Sequence, residues 1–230
     1  IMDEIIKNKN IYIQYNPDVF DNFSSKLFNT DYISKEGLIK SVTDGRGKVL
    51  ELEYKNKRYF LKHYIRGGLA AKFSYDSYIF SSLSSTRAIK EYNMLNIMKE
   101  QGLPVPKAAA LQIITNRFTY KANLITCKID NKGTLYEFII NKKMNHDLWN
   151  KLYMTLEQLY QKNVYHSDLN SKNIIIDKYN NIYLLDFDNS YFFYEKKLFR
   201  KSVLRLERSL KKIENYNDEF KKKLLDLINL

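Results

Sequence analysis

Tyr165-His166-Ser167-Asp168-Leu169-Asn170-Ser171-Lys172-Asn173 runs directly into Ile174-Ile175-Ile176-Asp177, and the reading of the whole chain turns on this stretch. Three β-branched apolar residues in a row, bounded by polar ones, suit the interior of a short buried strand, so residues 165–173 become a polar loop feeding it. A second apolar run, Ile182-Tyr183-Leu184-Leu185, ends on Asp186-Phe187-Asp188. The order is loop, strand, turn, strand, with carboxylate or amide side chains at both loop ends. One Asp after a strand is often only a turn residue; two such ends in this order are a more specific signal.

Phosphoryl transfer asks for groups of this kind. One carboxylate orients an attacking hydroxyl and accepts its proton, while an amide and a second carboxylate hold Mg²⁺ on the nucleotide phosphates. His166, Asp168, Leu169 and Asn173 match the H-x-D-L-x-x-x-N catalytic-loop pattern of kinases without a gap, and Asp186 stands where the D-F-G aspartate would. Asp168 is thus the expected catalytic residue, Asn173 and Asp186 the expected metal ligands, and ATP with Mg²⁺ the implied cofactors. Lys172 is a second catalytic candidate, as a cation that neutralises charge on the γ-phosphate; a solvated loop lysine is the other reading.

The chain has 230 residues, room for one large domain or one small two-lobed unit. With 44% hydrophobic and 14% aromatic residues it buries a core, which excludes disorder as its main state. A net charge of +12 favours an acidic partner such as nucleotide, nucleic acid, anionic lipid or phosphorylated sugar. The single cysteine, Cys127, excludes an internal disulfide framework and fits a reducing cytosol. No apolar run approaches a membrane span and no signal-peptide pattern opens the sequence, so a soluble or membrane-surface protein is expected.

Residues 1–30 combine an alternating segment, Ile11-Tyr12-Ile13, with a stretch of helical character from Asp18 to Phe28, and are expected as an N-terminal extension. From Leu38 the pattern becomes strand, turn, strand, turn, strand: 38–42, 49–54 and 59–64. Gly45 and Gly47, flanking Arg46, allow a tight turn whose N–H groups approach phosphate oxygens. Lys62 lies on the strand that follows, as the ATP-contacting lysine of a kinase does. Residues 86–101 read as a helix, on which Glu91 is the candidate ion-pair partner of Lys62; Glu100 is a rival. Strands at 108–115 and 118–126 lead into the polar turn Cys127-to-Gly133, the expected hinge. Its backbone would face an adenine edge, and Thr126 and Lys128 beside it join Gly45, Arg46, Gly47, Lys62 and Glu91 in the expected nucleotide-binding set. Residues 134–140 and 146–162 are helical in pattern, with Leu148, Leu152, Leu156 and Leu159 as a core stripe; Trp149 and His146 are read as packing residues. Two more helices are expected near 196–214 and 217–229. In the first, Leu198, Val203, Leu206, Leu210 and Ile213 would face the core. Lys201, Arg205, Arg208 and Lys212 share another face, which is either solvated or a grip for anions.

The ordered set Lys62, Glu91, His166, Asp168, Asn173, Asp186 resembles the protein-kinase-like superfamily. Within it, Tyr64-Ile65-Arg66-Gly67-Gly68-Leu69-Ala70-Ala71-Lys72, Pro104-Val105-Pro106, Tyr165 to Asn170, Leu185 to Asp188 and Leu204-Arg205-Leu206-Glu207-Arg208-Ser209-Leu210 resemble the 3-deoxy-D-manno-octulosonic acid (Kdo) kinases of the lipopolysaccharide kinase family. The likeness runs from about residue 40 to 212. It implies an α+β, two-lobed protein-kinase-like fold, with a small antiparallel-sheet N-lobe over 31–128 and a reduced, mostly helical C-lobe over 129–230. It also implies phosphorylation by ATP and Mg²⁺ of the 4-hydroxyl of Kdo on a lipid A precursor, at the cytoplasmic face of the inner membrane of a Gram-negative bacterium. Arg66, Arg205 and Arg208 are the acceptor-binding residues it suggests, and an anionic membrane surface the expected partner, with no nucleic acid.

The sequence departs from protein kinases in ways that favour a small or lipid-linked acceptor. Asn170 stands where Ser/Thr kinases carry Lys, Asp188 replaces the glycine of D-F-G, and no A-P-E follows. A small atypical protein or antibiotic kinase remains an alternative reading, as does a basic nucleotide-binding pseudokinase or nucleic-acid-binding module, against which the full catalytic set argues.

Overall fold

The computed structural model describes residues 2–43, 49–65, 76–214, 216 and 219–228. The protein is α+β and divides into two compact units, residues 1–93 with 107–128, and residues 94–106 with 129–230.

The first unit is built on an antiparallel sheet. Its strands are β1 (Glu4–Asn8), β2 (Ile11–Tyr15), β3 (Ile39–Thr43), β4 (Val49–Tyr54), β5 (Lys57–His63), β6 (Tyr78–Ile79), β7 (Ala108–Thr115) and β8 (Thr119–Cys127), with helix α1 (Thr30–Lys35) and the first half of α2 (Arg87–Glu100), whose residues from Met94 on fall in the second unit. The order across the sheet is β1-β2-β7-β8-β5-β4-β3, with β6 pairing to β8. Residues 1–30, expected as an extension, therefore supply two strands of this sheet, β2 pairing with β7 from Ile11↔Ile114 to Tyr15↔Ala110. Ile13, Leu50, Leu52, Leu61, Ala110 and Ile125 face one buried core with Phe20, Leu27, Phe28 and Ile33.

The helix expected over 18–28 is not formed. Asn16 ends β2 and takes the N–H groups of Val19 and Phe20 on its carbonyl, and that of Asp18 on its side chain, which closes a turn instead. Phe20 stacks on Tyr59, and Phe23 packs between Tyr15 and Phe28. A short 3₁₀ turn, Ser25–Phe28, follows, and the helix starts only at α1, whose N-cap Asn29 accepts from the Tyr32 N–H.

The second unit is mostly helical. It holds β9 (Asn131–Thr134), α3 (Leu135–Ile140), α4 (His146–Gln161), β10 (Val164–Tyr165), β11 (Ile174–Asp177), β12 (Ile182–Leu184), β13 (Tyr191–Phe192), α5 (Lys197–Leu210) and α6 (Glu219–Ile228). β11 is the middle strand of the sheet β12-β11-β9, and all four of its residues are buried. A central strand covered on both faces accounts for an unbroken apolar run in place of alternation. The polar turn expected at 127–133 instead carries β9, which pairs antiparallel to β11 through Gly133↔Ile176 and Thr134↔Ile175. Thr134 then caps α3, exchanging bonds with Glu137 in a capping box.

The Leu148, Leu152, Leu156 and Leu159 stripe of α4 is buried as expected, and Trp149 stacks on Phe220 of α6 at 4.5 Å between ring centroids. His146 is exposed in the first turn of α4, which Asn145 caps. α5 buries Phe199, Val203, Leu206 and Leu210, with Ile213 just beyond it, while Leu198 is only half-buried.

Candidate active site

In the first unit, Lys62 projects from β5 toward α2. Its Nζ donates to Glu91 Oε2 at 2.9 Å and Oε1 at 3.3 Å. Glu91 is only 5% exposed and also accepts from the Tyr64 hydroxyl at 2.6 Å, so a buried carboxylate is fully engaged by donors. The rival Glu100 is exposed at the last position of α2. Tyr64 was not picked out as a functional residue from the sequence, although its place two residues after Lys62 puts both side chains on one face of the strand line. The Lys62 ammonium sits 4.9 Å from the Tyr64 ring centroid, which holds the lysine from a second side.

Thr126 pairs with Phe60 across the β5–β8 ladder. Lys128 donates from Nζ to Glu51 Oε1 at 2.6 Å. That hydrogen bond, foremost among its causes, holds the Glu51 carboxyl below the usual carboxylate range against the opposing effect of burial. Gly45, Arg46, Gly47 and Arg66 lie outside the described residues.

In the second unit the loop 165–173 is fixed at both ends. The Leu185 N–H donates to the Asn173 carbonyl at 2.8 Å, which sets Asn173 and Asp186 on neighbouring strand ends. Asp186 takes a left-handed backbone, φ 62°, a conformation an Asp tolerates better than most residues. Asn170 braces the loop as an Asx turn: its Oδ1 accepts from the N–H of Lys172 and Asn173, and its Nδ2 donates to the Asp168 carbonyl. Asn173 Nδ2 donates to the same carbonyl at 2.9 Å. That bond turns the amide nitrogen to the Asp168 carbonyl, and an amide oxygen with a carboxylate is the hard-oxygen donor chemistry that Mg²⁺ takes.

His166 is fully buried under Phe187, with ring centroids 4.5 Å apart. Its Nδ1 accepts from the Asp168 N–H at 3.2 Å, so the proton sits on Nε2, which donates to the Leu185 carbonyl at 3.0 Å. Burial pushes its pKa down to about 4, so the imidazole is neutral and ties the Asp168 main chain to the turn before Asp186.

Asp168 is half-exposed. Its Oδ1 accepts from Arg205 Nε at 2.7 Å and Nη2 at 2.6 Å. Lys172 is exposed, its Nζ 5.2 Å from the Tyr136 ring centroid. Arg208 and Lys201 are exposed on α5, and Lys212 is exposed just beyond its end. Two further residues bond the loop from α5: Ser209, which lies in the Leu204-to-Leu210 segment of the family resemblance, and Ser202, which had no sequence signal beyond its helical spacing from Arg205.

A sheet unit carrying a lysine–glutamate pair, and a helical unit whose loop offers Asp168, Asn173 and Asp186, define a kinase of the protein-kinase-like class. The sequence model described as the Lipopolysaccharide kinase (Kdo/WaaP) family matches residues 34–225, and the chain belongs to that family. Its relatives include 3-deoxy-D-manno-octulosonic acid kinases from Mannheimia succiniciproducens, 30% identical over 97% of both chains, and from Photobacterium damsela subsp. piscicida, 30% identical over 90% of this chain and 86% of its own. A third, from Pasteurella multocida, is 31% identical over 90% of this chain and 89% of its own. Among solved structures, the Cydia pomonella granulovirus kinase PK-1 aligns with TM-score 0.48 and 17% identity over 86% of this chain and 73% of that one, a likeness too remote to bear on function.

Proposed function

We propose that this kinase transfers the γ-phosphoryl group of ATP to the 4-hydroxyl of a Kdo sugar on a lipid A precursor. The observation that carries the reading is the near full-length match to relatives bearing the name Kdo kinase. The basic face of α5 beside Asp168 supports it, because the acceptor carries carboxylate and phosphate groups that a guanidinium grips through paired N–H groups.

In this reading residues 31–128 form the nucleotide lobe and 129–230 the acceptor lobe. Lys62, held by Glu91 and Tyr64, meets the α- and β-phosphates, and Thr126 and Lys128 border the adenine. Gly45, Arg46 and Gly47 approach the phosphates. Asp168 accepts the hydroxyl proton as the sugar oxygen bonds to the γ-phosphorus and the bond to the ADP oxygen breaks. Asn173 and Asp186 hold Mg²⁺, which when bound offsets charge on the phosphates. Lys172 neutralises charge on the γ-phosphate during transfer. Arg66 and Arg208 bind the acceptor's anionic groups, while Arg205, grouped with them in the sequence, is engaged by Asp168. The protein works at the cytoplasmic face of the inner membrane of a Gram-negative bacterium, against an anionic surface and without nucleic acid.

Mass spectrometry of products after incubation with ATP, Mg²⁺ and Kdo-bearing lipid A precursor tests this, with peptide and aminoglycoside acceptors in parallel. One added phosphate on the Kdo lipid, placed on the 4-hydroxyl by fragmentation, is expected. Phosphorylation of the peptide or aminoglycoside alone would replace the reading with one of its alternatives.

A further inference from the structure

Helix α5 holds the loop 166–171 at points spaced three and four residues apart along one of its faces. Ser202 Oγ accepts from the His166 N–H at 3.0 Å and donates to the His166 carbonyl at 2.9 Å. Arg205 takes Asp168 Oδ1 with two of its N–H groups. Ser209 Oγ accepts from the Ser171 N–H at 3.1 Å and bonds the Ser171 hydroxyl at 2.9 Å. Ser202 and Ser171 are each 1% exposed, so these bonds form away from competing water.

We propose that α5 is a splint for the catalytic loop and that Arg205 is the positioning residue that orients Asp168. The proposal rests on the reading of Asp168 as the group that accepts the acceptor's proton. Arg205 and Asp168 are 46% and 42% exposed, and an ion pair that open to water adds little to stability. What the pair does is geometric. Two N–H groups converge on one oxygen, which fixes the carboxylate torsion, and among the described residues Oδ2 is left to face the incoming hydroxyl. Small displacements of such a group are costly in rate, since about 1 Å of misplacement can cost roughly 10²-fold. The splint also gives a use to the Leu204-to-Leu210 segment: Leu206 and Leu210 seat the helix in the core, and Arg205 and Ser209 point its other contacts at the loop.

A double-mutant cycle tests the proposal. Arg205→Gln is expected to lower kcat by about 10–100-fold with the KM values for ATP and acceptor within about twofold. Placed in Asp168→Asn, the same change is expected to alter the remaining rate by less than about twofold, because its effect runs through that carboxylate. Equal losses in both backgrounds, or a loss confined to acceptor KM, would overturn the positioning role. The cycle can be run on slow ATP hydrolysis to water, so it does not depend on the acceptor being a Kdo lipid. Amide exchange tests the splint itself: Ser202→Ala and Ser209→Ala should speed exchange at His166 and Ser171 respectively by about tenfold. Unchanged protection at both amides would remove the splint even if Kdo phosphorylation is observed, and Kdo inactivity with faster exchange would remove only the acceptor reading.

Discussion

Asp168 carries the most weight of any single residue, and its chemistry can be separated from its packing. Asn at 168 keeps the size and an oxygen for the Arg205 guanidinium, but an amide does not accept the acceptor's proton. Asp168→Asn is expected to unfold at an unchanged temperature and to lose about 10²–10⁴-fold in kcat; turnover near that of the unchanged protein would take Asp168 out of the reaction. Lys172 is open to a similar dissection, since its ammonium lies over Tyr136 and, among the described residues, forms no ion pair. Lys172→Met should lower kcat if the cation offsets charge on the γ-phosphate, and a loss confined to acceptor KM would return it to the surface lysines. His166 gives a pH dependence of defined sign. Its folded pKa, about 4, lies below the ordinary 6.5, so the unfolded chain binds the proton first as pH falls. Its stabilising effect is complete above pH 6.5 and is lost on acidification toward 4, at up to about 1.4 kcal/mol per pH unit. Denaturant titrations from pH 7 to 4.5 should show this fall, and the imidazole resonance should not titrate near 6.5; a midpoint there would refute the assignment. The set His166, Asp168, Asn173 and Asp186 was legible as a set because motif spacing is a local property. The bonds of Ser202 and Ser209 to that loop were not, since a serine's hydrogen-bond partner is chosen by tertiary contact, even where, as for Ser209, the residue sits in a quoted segment.

Elements repeat that contrast. α4 and α5 were readable because a helix packed on one side must carry apolar residues at 3.6-residue spacing, and Leu148, Leu152, Leu156 and Leu159 are buried together. β1 and β9 were missed because they are exposed or half-exposed and so carry no apolar alternation. The stretch 18–28 misled in the opposite direction: Phe20 and Phe23 stand at helical spacing, yet they pack as a loop around Tyr15 and Tyr59. The α2–β5 pairing of Lys62 with Glu91 shows what depends on an element meeting its neighbour correctly. Lys62→Met leaves the 5%-exposed Glu91 carboxylate with a lost cation and is expected to cost about 3–5 kcal/mol of stability as well as ATP use. The double variant Lys62→Met with Glu91→Gln removes the orphaned charge and should recover most of the stability but none of the activity. Stability that stays low in the double variant would mean that the pair contributes through packing rather than charge.

At the scale of the whole molecule, the α+β class follows from strand runs giving way to helical ones, whereas the sequence does not show that residues 1–30 join the first unit and 94–106 the second. Net charge is also a whole-molecule property, and +12 acts over distances that no pairwise contact explains. Among the described residues no helix is long and apolar enough to cross a membrane. The proposed attraction is that of clustered cations for an anionic bilayer. The exposed Lys201 and Arg208 on α5, with Lys212 just beyond its end, concentrate part of that charge at the helix that also bonds the loop of Asp168. Replacing Arg208 and Lys212 with Gln removes two cations without touching Asp168 or its partner Arg205. At about 1 kcal/mol per charge near the surface, partition onto vesicles containing acidic lipid should weaken roughly 30-fold at low salt, while binding to neutral vesicles stays unchanged. Raising the salt should erase the difference between variant and unchanged protein, because the interaction is screened beyond about 10 Å at 0.1 M. Equal binding of both proteins to acidic vesicles at low salt would place the membrane-facing charge elsewhere, and leave α5 with the acceptor and the loop.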